Sequence, residues 1–171
     1  MNFAVRTAEI SDVSGIADIH VKTWQSHYRG HMPDTYLDNL SIKKRTARWK
    51  SSLSDPKPGI LTFVAESKGN IIGFCSIGPS RDSTESKNTG EMYAIYVSPD
   101  EQGHGVGTAL MEKGLFSLKN EGYVAAMLWV LVTNKTTIDY YKSKGWKPSG
   151  QKKSDEMCGF TIEEEKYVII L

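Results

Sequence analysis

The chain is poor in the features that would assign it to a specialised class. Only 2 of its 171 residues are cysteine, Cys75 and Cys158. Two widely separated thiols make neither a disulfide scaffold nor a metal ribbon. They suit a reducing compartment, and Arg6 and Glu9 interrupt any apolar leader core, so the expected location is cytoplasmic. Proline occurs 6 times, with no proline- or serine-rich linker and no internal repeat. A single domain over residues 1–171 is therefore expected. Long apolar runs are missing too. The longest, Ala125 to Val132, falls far short of the roughly 20 residues that span a bilayer, so no membrane partner is expected. The formal net charge is +1, without the basic excess of a nucleic-acid binder. One local cluster, Lys43, Lys44, Arg45, Arg48 and Lys50, reads as a solvated helix face. The 4 histidines, His20, His27, His31 and His104, form no His-Glu-x-x-His or Cys/His set, and no metal is expected.

What is present is a change of period along the chain. Residues 3–8 read as a first strand. Ser11 or Asp12 can cap a helix carrying Val13, Ile16, Ala17, His20 and Trp24 at helical spacing. A turn follows at Tyr28 to Pro33, then a second helical region from about Asp34 to Leu53, broken at Asp55-Pro-Lys-Pro-Gly59. Residues 60–66 and 71–77 are apolar, β-rich runs joined by Ser67-Lys68-Gly69-Asn70, a hairpin signature. Residues 79–88 are a polar loop and residues 91–98 a strand. The spacing then predicts a helix over 107–120, a buried strand over 125–132 and a helix from Asn134 to Lys144 ended by Gly145. Two late strands are expected at about 146–152 and 167–171. The sum is a mixed α/β domain.

The most informative stretch is the one between the strand at 91–98 and the next helix. It reads Gln102-Gly103-His104-Gly105-Val106-Gly107-Thr108. Three alternating glycines before a helix expose bare N–H groups at the positive end of its dipole, where a phosphate is favoured. No lysine follows them, which excludes a P-loop. The third glycine comes one residue too early for a dinucleotide loop.

With Gln102 included, this turn resembles the Gln/Arg-x-x-Gly-x-Gly/Ala loop of the Gcn5-related N-acetyltransferases, which holds the pyrophosphate of acetyl-CoA. A second match lies downstream. Asn134-Lys-Thr-Thr137-Ile-Asp-Tyr140-Tyr141-Lys-Ser-Lys-Gly145-Trp146 is similar to that family's Asn-x-x-Ala-x-x-Phe/Tyr-Tyr-x-x-x-Gly-Phe helix. Thr137 stands for the common alanine and Trp146 for the common phenylalanine. The resemblance implies a central mixed, mostly antiparallel sheet of about seven strands flanked by about four helices. It also implies acetyl-CoA as co-substrate and a small-molecule primary amine as acceptor.

The same resemblance implies residue roles. The backbone from Gln102 to Thr108 would cradle the pyrophosphate, with His104 solvated within that loop. Ile95, Tyr96 and Val97 would line the pantetheine arm, with the Ile95 and Val97 backbone pairing to it as an added strand. Asn134 would cap its helix and touch the same arm. Tyr141 would protonate the leaving thiolate, with Tyr140 left for the core, since helix neighbours point about 100° apart. The acceptor amine must lose a proton, and at a pKa of about 10.4 this costs roughly 4–5 kcal/mol at pH 7. Glu91, at the start of the cofactor strand, is the candidate base, acting through water. It could equally be a plain strand residue. Trp24, His27, Tyr28 and His31 lie where the family shapes its acceptor pocket. Neither cysteine falls in either motif, which favours direct attack in a ternary complex over a covalent enzyme intermediate. A protein-amine acetyltransferase, a catalytically inactive CoA-binding sensor and a homodimer joined through the late strands remain open at this point.

Overall fold

The computed structural model describes residues 2–171. Seven strands form one sheet: β1 (Ala4–Thr7), β2 (Leu61–Ser67), β3 (Asn70–Pro79), β4 (Thr89–Val97), β5 (Ala125–Leu131), β6 (Lys147–Met157) and β7 (Phe160–Ile170). Their order is β1-β2-β3-β4-β5-β7-β6. Every neighbouring pair is antiparallel except β4 and β5, which are parallel. Five α-helices accompany them: α1 (Val13–His27), α2 (Asp34–Asp38), α3 (Ile42–Ser54), α4 (Val106–Asn120) and α5 (Lys135–Ser143).

The two central hairpin strands are apolar throughout because both of their faces are covered. Phe63, Ala65, Cys75 and Ile77 join Val106, Leu110, Met111 and Leu118 of α4 in the larger core. The alternate residues Val64 and Phe74 meet Ile16 and Ile19 of α1 on the other face. Strand alternation against two helices thus explains the unbroken run. The connecting turn has Lys68 at φ 51° and Gly69 at φ 78°, the left-handed pair that a two-residue hairpin of matching twist requires.

Several expected boundaries move. The helical region from Asp34 divides at Asn39 to Ser41, because Ser41 caps a new helix by accepting a hydrogen bond from the Lys44 N–H at 3.2 Å. Asp12 does not cap α1 with its side chain. It accepts from the Glu9 N–H at 2.8 Å and pairs with Arg6 at 2.7 Å. Lys43, Lys44, Arg48 and Lys50 are exposed on α3, as expected, whereas Arg45 turns over the Trp24 ring, 5.7 Å from its centroid. The late strands are longer than expected, since Cys158 (φ 49°) and Gly159 (φ 88°) close a second tight hairpin. No helix among the described residues is long and apolar enough to cross a membrane.

One buried group makes the fold sensitive to acid. His20 lies among Trp24, Trp49, Phe74 and Tyr96, and its Nδ1 accepts from the Trp49 indole N–H at 3.2 Å. Burial, and secondarily Arg45, push the imidazole down from 6.5 to about 3. A folded value below the unfolded one means that the unfolded chain takes the proton first. The contribution is therefore complete above about 6.5 and is lost as pH falls toward about 3. Within that window one proton is worth about 1.4 kcal/mol per pH unit. Unfolding free energies measured from pH 7 to 4 should fall less steeply in His20→Gln than in the wild type, and parallel curves would contradict the assignment.

Candidate active site

A cleft opens where the one parallel pair comes apart. β4 and β5 are in register only at Thr89–Ala125, Gly90–Ala126 and Glu91–Met127. Beyond those rungs β4 keeps β3 on one side and has no strand on the other, while β5 keeps β7 along its whole length. The β3–β4 register slips between Met92 and Ala94, so Tyr93 is the extra residue of a bulge. A bulge bends its strand and increases local twist, which here suits the divergence from β5. The resulting cleft has a volume of about 520 Å³.

The glycine turn forms one wall. Gly103 and Gly105 have φ of 77° and 83°, the left-handed region that a side chain disfavours. Gly105 is the N-cap of α4 and has no side chain to satisfy the first-turn donors. The N–H groups of Val106, Gly107 and Thr108 are therefore left for a ligand. All three residues line the cleft, with Gln102, Gly103 and Gly105. A Cβ at Gly107 would lie 3.1 Å from the Tyr140 hydroxyl, which is buried and has no hydrogen-bond partner. Uncapped donors, an orphaned hydroxyl and a free strand edge in one cleft fit a phosphate-bearing ligand with an amide-containing arm.

The residues singled out from sequence divide as follows. Ile95, Tyr96, Val97, Asn134 and Tyr141 line the cleft, as do His27 and Tyr28. His104 sits in the glycine turn but is exposed and does not line the cleft. Asn134 is buried and its Oδ1 accepts from the Thr137 N–H at 3.2 Å, so it is a helix cap. Tyr140 and Tyr141 both line the cleft, contrary to the expectation that Tyr140 would belong to the core alone. Tyr141 is the more deeply buried, against Trp146, and burial raises its hydroxyl pKa well above the ordinary 10.0.

His27 is tied to the glycine turn rather than free for an acceptor. Its Nε2 lies 2.7 Å from Gln102 Nε2 and its Nδ1 lies 2.8 Å from Ser26 Oγ. Trp24 and His31 stand behind the cleft wall: Trp24 packs on Tyr28 and Tyr36, and His31 Nδ1 lies 2.9 Å from Thr133 Oγ1. Glu91 is buried but outside the cleft lining. It faces a neighbouring groove of about 690 Å³, shared with Arg81, Asp82, Trp129, Lys152 and Lys153. Its carboxylate accepts from the Arg81 backbone N–H at 2.8 Å, from Arg81 Nε at 3.0 Å and from Arg81 Nη2.

Among the cleft residues that escaped the sequence reading are Glu101, Trp129 and Glu164. Glu101 directly precedes the glycine motif and buries one carboxylate oxygen without a partner. Trp129 belongs to the unbroken apolar run of β5, and Glu164 to the acidic stretch Glu163-Glu164-Glu165 of β7. Neither context distinguishes a cleft residue from a structural one.

Known proteins share both the sequence pattern and the topology. The profile of the GNAT acetyltransferase family matches residues 16–146. YuaI of Bacillus subtilis, an uncharacterised N-acetyltransferase, is 38% identical over 138 residues, covering 80% of this chain and 76% of its own. The PaiA N-acetyltransferase of Thermoplasma acidophilum, solved in complex with coenzyme A, superposes with a TM-score of 0.72 at 21% identity, over 98% of this chain and 100% of its own. YncA of Salmonella typhimurium, an acetyltransferase solved with acetyl-CoA, gives 0.72 at 20% identity, over 99% and 94%. The fold of this chain is therefore shared with these solved proteins over nearly its whole length. The chain belongs to the GNAT acetyltransferase family.

Proposed function

We propose that the protein transfers the acetyl group of acetyl-CoA to a primary amine of a small molecule, by direct attack within a ternary complex. The observation that carries this reading is the continuity of the cleft. One cavity is lined by the uncapped N-terminus of α4, the free edge of β4, Tyr141, and the aromatic rings of Tyr28, Tyr96 and Trp129. A donor and an acceptor can thus meet within it.

The chain's residues divide the work. The Gly103–Thr108 backbone and the Tyr140 hydroxyl would hold the pyrophosphate, and the β4 edge at Ile95 to Val97 would hold the pantetheine arm. A bound thioester supplies the activated acyl group. Tyr141 would donate a proton to the departing sulfur, and its raised pKa keeps the phenol protonated for that task. Glu91 suits the role of base less well, because its oxygens are already engaged by three Arg81 donors. A positioning role accords with these contacts: Glu91 anchors Arg81, and with it the start of the 80–88 segment. The cysteines also favour direct transfer. Cys75 is buried with its thiol pushed up to about 12, and Cys158 sits exposed in the β6–β7 turn. A reactive thiol needs an accessible thiolate.

Initial rates of CoA release, measured over a matrix of acetyl-CoA and amine concentrations, test the proposal. Saturable turnover with intersecting double-reciprocal lines is expected. Parallel lines would contradict the ternary route. Tight CoA binding without turnover on a broad amine panel would mark a CoA-binding sensor instead.

A further inference from the structure

The end of the cleft opposite the glycine turn abuts an ion-pair network carried by β4, the 80–88 segment, β6 and β7. Arg81 pairs with Glu91. Lys153 bridges Asp155 and Glu164 at 2.9 and 3.0 Å. Lys166 bridges Asp82 and Glu85 at 3.1 and 2.7 Å. Five carboxylates therefore meet three basic groups, and Lys152, on the wall of the outer groove, does not close the gap. Of these five, Glu164 alone lines the main cleft, whose lining contains no lysine or arginine.

The corner already holds an ammonium group. Lys153 Nζ sits 3.0 Å from Glu164 Oε2 and 4.8 Å from the Trp129 ring centroid. The protein's own lysine thus shows the chemistry of the place, a carboxylate beside an aromatic face. Lys153 is itself shared between Glu164 and Asp155.

We propose that Glu164 is the ammonium-binding residue of the acceptor site and that the acceptor is a diamine or polyamine. The inference rests on the acetyltransferase reading and names the acceptor class for it. Two amino groups are required for a chemical reason. The amine that attacks must be neutral: its nitrogen forms the bond to the acyl carbon, the C–S bond breaks, the nitrogen gives up a proton and the sulfur gains one. A group held as a cation by Glu164 cannot be that nitrogen. The surplus of carboxylates therefore calls for a second amino group on the same molecule, kept protonated as an ammonium, and it disfavours an acceptor that carries a carboxylate there.

Three probes of equal chain length test this: 1,4-diaminobutane, n-butylamine and 4-aminobutanoate. Their remote groups are an ammonium, a methyl and a carboxylate. The expected order of kcat/KM is diamine, then monoamine, then amino acid, each step about tenfold, the worth of one charge-assisted hydrogen bond. Glu164→Gln should raise KM for the diamine about tenfold, with the KM for acetyl-CoA held, and should erase the gap between diamine and monoamine. Glu164→Asp should restore part of it. Turnover without charge preference, preference for the carboxylate-bearing probe, or an unchanged diamine KM in Glu164→Gln would each overturn this inference while leaving the acetyltransferase reading intact. No turnover with any amine would overturn both.

Discussion

Tyr141→Phe should lower kcat by about 10²- to 10⁴-fold, the range a positioned general acid contributes. The acetyl-CoA dissociation constant should move little. The phenyl ring would keep its contact with Trp146, whose centroid is 6.0 Å away, and only the hydroxyl would be lost. That hydroxyl belongs to a buried ring on the cleft wall, and burial raises its pKa. It is therefore protonated throughout the neutral range and can act as an acid. Tyr140→Phe is the decisive control, because both tyrosines line the cleft. It should weaken acetyl-CoA binding, since its orphaned hydroxyl lies beside Gly107, and should leave single-turnover chemistry largely intact. The opposite pattern, with chemistry lost in Tyr140→Phe, would transfer the acid role to Tyr140. Single-turnover kinetics with separate titration of CoA distinguish the two.

The second large effect is on stability. Lys166 lies on a central region of β7 with 2% of its side chain exposed, and its ammonium is held by Asp82 and Glu85 of the 80–88 segment. Removing both partners strands a buried charge, whereas removing the charge itself does not. The double variant Asp82→Asn/Glu85→Gln should lose about 3 kcal/mol, the lower end of the cost of breaking a buried pair. For a chain of this length that is roughly 6–12 °C in Tm. Lys166→Met should be nearly neutral, because the methionine fills similar space and asks for no partner. Denaturant unfolding of the three proteins checks the asymmetry. Equal losses would mean that the network contributes by attraction rather than by avoiding an unpaired charge.

The central part of the fold was legible in the chain because its signals are local. Lys68-Gly69 admits only a tight hairpin, and glycines at 103, 105 and 107 admit only a bare turn into α4. The split of the helical region at Asn39 to Ser41 was less visible, since the apolar spacing continues across it and only the Ser41 cap marks it. The lengths of β6 and β7 were hidden because β6 is polar and exposed along nearly its whole length, so it shows no apolar period to read. In the site, motif residues fell on the cleft, while the part of it lined by Trp129 and Glu164 did not announce itself. Trp129 and Glu164 line the cleft because β5, paired with β7 along its whole length, parts from β4 after three rungs. That is a property of strand order, not of any short run of residues. Glu91 shows the converse: its position on β4 was read correctly, but its engagement with Arg81 depends on a polar loop whose path no local pattern specifies.

The three-rung pairing of β4 and β5 has a thermodynamic consequence. The sheet is incomplete at its centre, and the missing strand would be the donor itself. Occupancy of the β4 edge should then register as stability, growing with the logarithm of free acetyl-CoA above its dissociation constant, by about 2.7 kcal/mol at a hundredfold excess. On the proposed binding mode, the stability of this protein would thus follow the acetyl-CoA concentration, with the substrate serving as its scaffold.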